Sequence, residues 1–344
     1  MTLDLPLAWA LVIGFALTMY VILDGFDLGV GMLLLTVGNE SDRDIMVRSI
    51  APVWDGNETW LVLVGAGLLG GFPSAYGIAL PAFYLPLIVM LLSLALRGTA
   101  FEFRFQTRRW RWIWDAAFSA GSWGAALCQG LIVGALLTGV RVRDSAFAGS
   151  ALDCLRPFGL LTALTVASAY MVLGATWLMF RTTGTLADAS RARPRAAGLG
   201  VILAVLAVVG SAPRLAPQVM AKAAIWNPVS VTLFVAGVVG ICTLLQNSLG
   251  RASDRFPFAC AMILVLLVEG AFVSTVWPFI IPYELDFWHA ASAERSQMVL
   301  LVGAVAILPF VLAYSAYSYF VFRGKVAPEP EEVSADTALP ESVS

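Results

Sequence analysis

Long apolar stretches recur along the chain, separated by short clusters of Arg, Asp, Glu, Pro and Gly. An α-helix needs about 20 residues to cross a hydrocarbon core about 30 Å thick. Nine stretches approach or exceed that length, at 7–36, 52–72, 76–97, 114–139, 157–180, 196–213, 229–249, 256–281 and 297–322. Inside a bilayer the backbone must satisfy its own hydrogen bonds, and a helix does so within one segment. The pattern therefore predicts an all-α membrane protein with about nine transmembrane helices.

Composition agrees. Of 344 residues, 59% are hydrophobic and 13% charged, with a mean hydropathy of +0.83, more apolar surface than a soluble fold can enclose. Residues 1–6 carry no positively charged region and no small-residue cleavage site follows the first stretch, so that stretch is expected to remain as a helix rather than be removed as a signal peptide. The net charge of −2, with basic residues scattered over short loops, leaves no footprint for nucleic acid. Cys128, Cys154, Cys242 and Cys260 form no CxxC pair and lie mostly within spans, which suits apolar packing better than a zinc or disulfide framework.

Lys and Arg in short loops set the direction of insertion. With the N-terminus outside, fourteen fall in the cytoplasm: Arg43, Arg48, Arg104, Arg108, Arg109, Arg111, Arg181, Arg191, Arg193, Arg195, Arg251, Arg255, Arg323 and Lys325. Six face out, namely Arg141, Arg143, Arg156, Arg214, Lys222 and Arg295, with Arg97 at a span end. An odd number of spans then puts the C-terminus inside. Ala327 to Ser344, rich in Pro, Glu, Ser and Ala, reads as a disordered cytoplasmic tail.

An ionisable side chain within a span costs roughly 2.5–3.5 kcal/mol on insertion scales and so points to function. In DGFDLGVG, Asp24 and Asp27 stand three apart on one helical face. The second span opens with PVWDGNETWL, which spaces Asp55, Glu58 and Thr59 at i, i+3 and i+4 near the same cytoplasmic end. The third span delivers Arg97 there, with Glu102 and Arg104 a turn or two beyond. Five carboxylates and two guanidiniums are thus expected to converge. Burial raises carboxylate proton affinity and Arg97 lowers it, a balance that suits a proton relay. The plainer reading is a buried pair between Arg97 and one Asp that fixes helix register. For Glu58, Glu102 and Arg104, solvation at the interface is an equally good account. Trp54 and Trp60 read first as an interfacial aromatic belt. Glu269 in the eighth span has no partner that the sequence names. Gly25 and Gly29 read as close-packing sites.

A haem within a helical bundle needs axial ligands. The one histidine, His289, falls in the last outer loop, so a bis-histidine haem site is excluded. No metal ligand set is evident. The sequence contains no Walker motif and no dinucleotide fingerprint.

DGFDLGVG at 24–31, SIAPVWDGNETWL at 49–61 and RGTAFEFR at 97–104 resemble subunit II of the cytochrome bd quinol oxidases. WRWIWD at 110–115, RPFGLL at 156–161, GATWLMFRTTGTL at 174–186, WPFIIP at 277–282 and LAYSAYSYF at 312–320 extend the likeness over nearly the whole chain. The resemblance implies two four-helix bundles, over 1–139 and 140–281, a peripheral ninth helix over 282–326 and the tail at 327–344. It implies a haem-free subunit of a quinol oxidase in a bacterial cytoplasmic (inner) membrane. The haem-bearing subunit I would carry haems b and d, or haem b alone, and a small accessory membrane subunit can join them. Quinol and dioxygen would be the substrates of the complex, with protons taken from the cytoplasm and none pumped. Asp24, Asp27, Asp55 and Arg97 match positions associated with proton delivery, and Trp54 and Trp60 lie near an oxygen path. The family's subunit II can also hold a structural quinone. The short outer loops resemble the cyanide-insensitive type. Two other readings stand beside this one: a secondary transporter, for which no second copy of WDGN or DGFD is found, and a purely structural membrane subunit.

Overall fold

The structure, a computed structural model, describes residues 4–107, 109–222, 227–250 and 254–326. Helix α1 (Leu5–Leu33) starts where Asp4 Oδ1 accepts from the Leu7 amide at 3.1 Å, with Pro6 in the first turn. A short surface helix, α2 (Glu40–Ile50), is capped by Asn39. Then come α3 (Trp54–Gly71), α4 (Pro73–Ala82), α5 (Tyr84–Gln106), α6 (Arg111–Thr138) and α7 (Pro157–Arg181). They are followed by α8 (Gly184–Ser190), α9 (Arg193–Leu215), α10 (Pro217–Lys222), α11 (Pro228–Ser248), α12 (Arg255–Val276), α13 (Phe287–Ala290) and α14 (Glu294–Val321). The strands are confined to two small antiparallel hairpins, Val142–Arg143 with Ala146–Phe147 and Phe279–Ile281 with Leu285–Asp286.

The chain is an all-α membrane fold. Among the described residues, eight helices are long and apolar enough to cross a membrane: α1, α5, α6, α7, α9, α11, α12 and α14. The 18-residue α3 lies outside that set, because its first two turns carry Asp55, Asn57, Glu58 and Thr59. The stretch expected to span 76–97 is divided instead into α4 and α5, with a break at Phe83. Pro86 has no N–H to give the Ala82 carbonyl, and the break falls at that missing bond. The eighth stretch ends at Val276 rather than 281, just before Pro278. The expected tail at 327–344, Arg108 and Arg251 lie outside the described residues, as does the Lys222 side chain.

Helix α7 is the most enclosed, lying against α1, α6 and α9. The seam between α1 and α7 is set by small residues. A Cβ at Gly29 would stand 1.9 Å from the Tyr170 carbonyl oxygen and 2.8 Å from the Gly174 nitrogen, and one at Gly25 would meet the Tyr170 ring at 2.8 Å. The close packing expected of this glycine pair is what the structure contains. At the other extreme, α14 buries only Gln297 and Leu301 among its described residues.

The carboxyl ends of α1, α5, α7 and α14 gather on one side with the amino end of α3. There the Val326 amide donates to the Arg181 carbonyl at 2.7 Å, and Arg181 in turn donates to the Phe322 carbonyl. Replacing Gly29 by Val should force α1 from α7. The expected result is a drop of several degrees in the thermal midpoint of the purified assembly, since overpacking costs about 1–3 kcal/mol. Gly240→Ala, where a Cβ meets nothing within 4 Å, should leave the midpoint unchanged.

Candidate functional site

The gathered helix ends enclose a set of acids. Asp24 and Asp27 are both fully buried, on the α1 face predicted from their spacing. Arg97, 1% exposed, enters from α5, and its Nη2 lies 2.7 Å from Asp24 Oδ1 and 2.9 Å from Glu58 Oε2. Asp27 Oδ2 accepts from Asn57 Nδ2 at 2.8 Å, and Asn57 Oδ1 accepts from the Tyr319 hydroxyl at 2.9 Å. Four helices therefore contribute: α1, α3, α5 and α14. Three carboxyl groups, of Asp24, Asp27 and Glu58, face one guanidinium, and only Glu58, with 28% of its side chain exposed, reaches the surface. Arg97 Nε and Nη1 and Asp27 Oδ1 are buried with no hydrogen-bond partner among the described residues.

The face that α3 turns inward carries Asn57, Trp60, Gly67 and Gly71. Asp55 lies two residues, and so about 200°, from Asn57 around the helix, and it is exposed. Glu102 is exposed as well. Of the expected convergence, Asp24, Asp27, Glu58 and Arg97 come together, while Asp55 and Glu102 stand apart at the surface. Arg104, though fully buried, belongs to a different cluster. Its Nε donates to Asp115 Oδ1, and its Nη2 lies 2.7 Å from Asp44 Oδ1. Arg43 pairs with Asp115 at 2.7 Å, and Arg111 with Glu40 and Asp44 at 2.9 Å each. This second cluster fastens α2 to α5 and α6.

A family model for the cytochrome bd terminal oxidase subunit II matches residues 5–322. The chain belongs to that family. Cytochrome bd-I ubiquinol oxidase subunit 2 of Escherichia coli strain K12 is 30% identical, over 94% of this chain and 96% of the relative. Cytochrome bd ubiquinol oxidase subunit 2 of Bacillus subtilis strain 168 is 27% identical, over 93% and 96%. The fold is also that of a chain in the bd oxidase structure from Geobacillus thermodenitrificans, with a TM-score of 0.74 at 18% identity, covering 93% of this chain and 99% of that one.

The other residues singled out in this subunit II fall as follows. The Trp54 ring packs 5.0 Å from Phe101 on α5, whereas Trp60, 2% exposed, sits among Ala16, Tyr20 and the α14 residues Leu308, Val311 and Leu312. The two indoles face different neighbours. Glu269 has a partner after all, accepting from Thr18 Oγ1 at 2.9 Å. His289 lies on α13 with its ring 80% exposed and Nδ1 2.8 Å from Asp286. Among the described residues, no group of His, Cys, Asp and Glu is placed to hold a metal ion.

Asn57, Tyr319 and Asp115 escaped the reading of the sequence. The WDGNETW motif drew attention to its acids, but the three- and four-residue spacing of Asn57, Trp60, Gly67 and Gly71 was the available signal for the inward face. Taking Arg97 away from Asp24 strands a buried carboxylate, at a cost of about 3–5 kcal/mol. Arg97→Gln should therefore sharply reduce the yield of assembled, haem-bearing complex, measured by its absorption spectrum. The double change Arg97→Gln with Asp24→Asn removes both charges and should recover most of that yield.

Proposed function

We propose that, within a quinol oxidase, the acidic end of this subunit II passes protons from the cytoplasm toward the site of oxygen reduction, whose haems belong to the partner subunit I. One observation carries the reading. Three carboxyl groups from two helices gather near one guanidinium, which pairs with Asp24 and Glu58 while Asp27 is held by Asn57, and a register pin needs only one of them. The excess of acid over base is a capacity to hold a proton in a low-dielectric interior. Glu58 connects the group to the surface, where Asp55 stands one turn away on α3 as a collector. The unpartnered nitrogens of Arg97 and Oδ1 of Asp27 are polar groups of the kind that take up water, and water supplies the remaining links of a proton path.

Reducing dioxygen to water consumes protons. Drawing them from the cytoplasm, while quinol releases its own on the outer side, makes turnover electrogenic without a pump. The excess of Lys and Arg in the loops at the acidic end supports an N-terminus outside and a C-terminus inside. Oxygen access belongs to the same proposal, supported by the apolar surroundings of Trp54 and Trp60. The small accessory subunit and the structural quinone remain expectations drawn from the family resemblance.

Asp24→Asn and Asp27→Asn, each in the assembled oxidase with an unchanged haem spectrum, should lower oxygen consumption by at least about tenfold, as expected for loss of a positioned proton carrier. Asp55→Asn should have a smaller effect, and Glu102→Gln none. Wild-type turnover in both buried-acid variants would leave this end of the chain with a structural role only. Orientation has its own test, helped by the burial of all four native cysteines. A cysteine at His289 should react with an impermeant thiol reagent from the outer face, and one at Lys325 only after the membrane is opened.

A further inference from the structure

Glu269 is a carboxyl group within the span of α12, and the acids around Arg97 make no use of it. Leu266 and Val273, one turn away on either side, are exposed on the apolar outer surface of the helix. The Glu269 side chain turns from that surface into the seam with α1. There Thr18 Oγ1 lies 2.9 Å from Glu269 Oε1 and 3.0 Å from the Gly14 carbonyl oxygen. Glu269 Oε2 is closed off from the surface and has no hydrogen-bond partner among the described residues. The seam offers this acid a hydroxyl and no cation.

Counting protons decides the charge state. A threonine hydroxyl has one proton to give. If Glu269 is ionised, that proton serves either the carboxylate or the Gly14 carbonyl, and the other close oxygen pair is left without one. Oε2 would then share a negative charge with no donor beside it. If Glu269 carries a proton on Oε1, it donates to Thr18, Thr18 donates to Gly14, and both contacts are filled in series. What stays unpaired is a neutral carbonyl oxygen, which costs far less to bury than a carboxylate oxygen. Because Oε2 is closed off, a cation arriving from outside the chain cannot pair with it. Tyr170 is the titratable group that faces Glu269 from α7, and its hydroxyl donates to Gln129 Oε1 at 2.7 Å and so keeps its own proton.

We propose that Glu269 is a second proton-binding site of this subunit, separate from the acids around Arg97, which holds one proton as a neutral carboxylic acid and uses it to clasp α12 to α1 through Thr18. The proton is held and not passed on. The series of hydrogen bonds ends on a backbone carbonyl, which has no proton to release, and Asp24 lies six residues, about 9 Å, farther along α1.

The test uses the complete oxidase, with glutamate labelled by carbon-13 at the side-chain carboxyl, and Glu269→Gln, Glu269→Ala, Thr18→Val and Asp24→Asn. Infrared absorption reads the carbonyl stretch of protonated carboxyl groups, and the label separates glutamate from aspartate. A protonated-glutamate band should be present at neutral pH, vanish in Glu269→Gln and change frequency in Thr18→Val. It should survive Asp24→Asn, whatever that change does to turnover, so this site and the proton-carrying role of Asp24 stand or fall separately. Glu269→Gln, a neutral group that can still donate to Thr18, should leave oxygen consumption and thermal midpoint near the wild-type values. Glu269→Ala should lower the midpoint by a few degrees. If Glu269→Gln removes no such band, the acid is ionised and the proposal is overturned. A manyfold loss of turnover in Glu269→Gln at unchanged haem content would make the proton mobile, which also overturns it. Should Glu269→Gln fail to assemble, Thr18→Val decides, since a band that does not move there does not belong to an acid bonded to Thr18.

Discussion

A guanidinium closed off from water cannot be left without an acid, and an acid in the same place cannot be left without a cation. Arg97 and Asp24 meet this mutual requirement, and the arrangement around them follows from it. α1 and α5 must finish at the same level for the two charges to meet. α3 must begin there for Glu58 to share the guanidinium and for Asn57 to occupy the oxygen of Asp27. The amino acids that allow α1 to approach α7, Gly25 and Gly29, lie within the same two turns as the acids, so one short segment sets both the packing and the chemistry. Under the proposed role, the ion pair is a structural device and a chemical one at once, with Asp27 and Glu58 as the surplus that a structural device alone does not need.

The outline of the fold was legible because hydrocarbon imposes a simple rule of length and polarity. Spans ran true where a proline stands at the first helical position, as Pro157 does in α7 and Pro228 in α11. They went astray where Pro86 divided one expected helix and Pro278 shortened another. The candidate site was legible in the same partial way. Asp24, Asp27 and Arg97 are conspicuous in any apolar run, and a three-residue spacing fixes a shared face without reference to the rest of the molecule. Which side of α3 looks inward is a different matter, because the first turn of that helix offers polar residues in every direction. The reading favoured Asp55, but Trp60 and the glycines that follow require Asn57 to point in.

Arg104 shows why sequence proximity misleads near a membrane surface. It follows Glu102 and lies seven residues from Arg97, yet it turns to Asp44 and Asp115, which arrive from a surface helix and from α6. Nothing in the local spacing of 97–104 distinguishes an arginine that holds the acids of α1 from one that holds α2 in place. Only the course of the chain between 40 and 115 decides it. The outcome is two charge clusters with separate duties. One is buried between long helices and rich in acid. The other, in which acids and bases are more evenly matched, clasps a short helix across the end of its neighbours.

The least enclosed helix is also joined to the most enclosed acid. Tyr319 stands near the end of α14, and its hydroxyl reaches Asp27 through a single intervening side chain, Asn57. The same end of α14 is tied down by the Val326 amide and by Arg181. The span that shares least surface with the rest of the chain thus still supplies a hydroxyl to the hydrogen-bonded set that ends on Asp27. A substitution that displaces this end of α14 therefore reaches a buried carboxyl group through one intervening side chain.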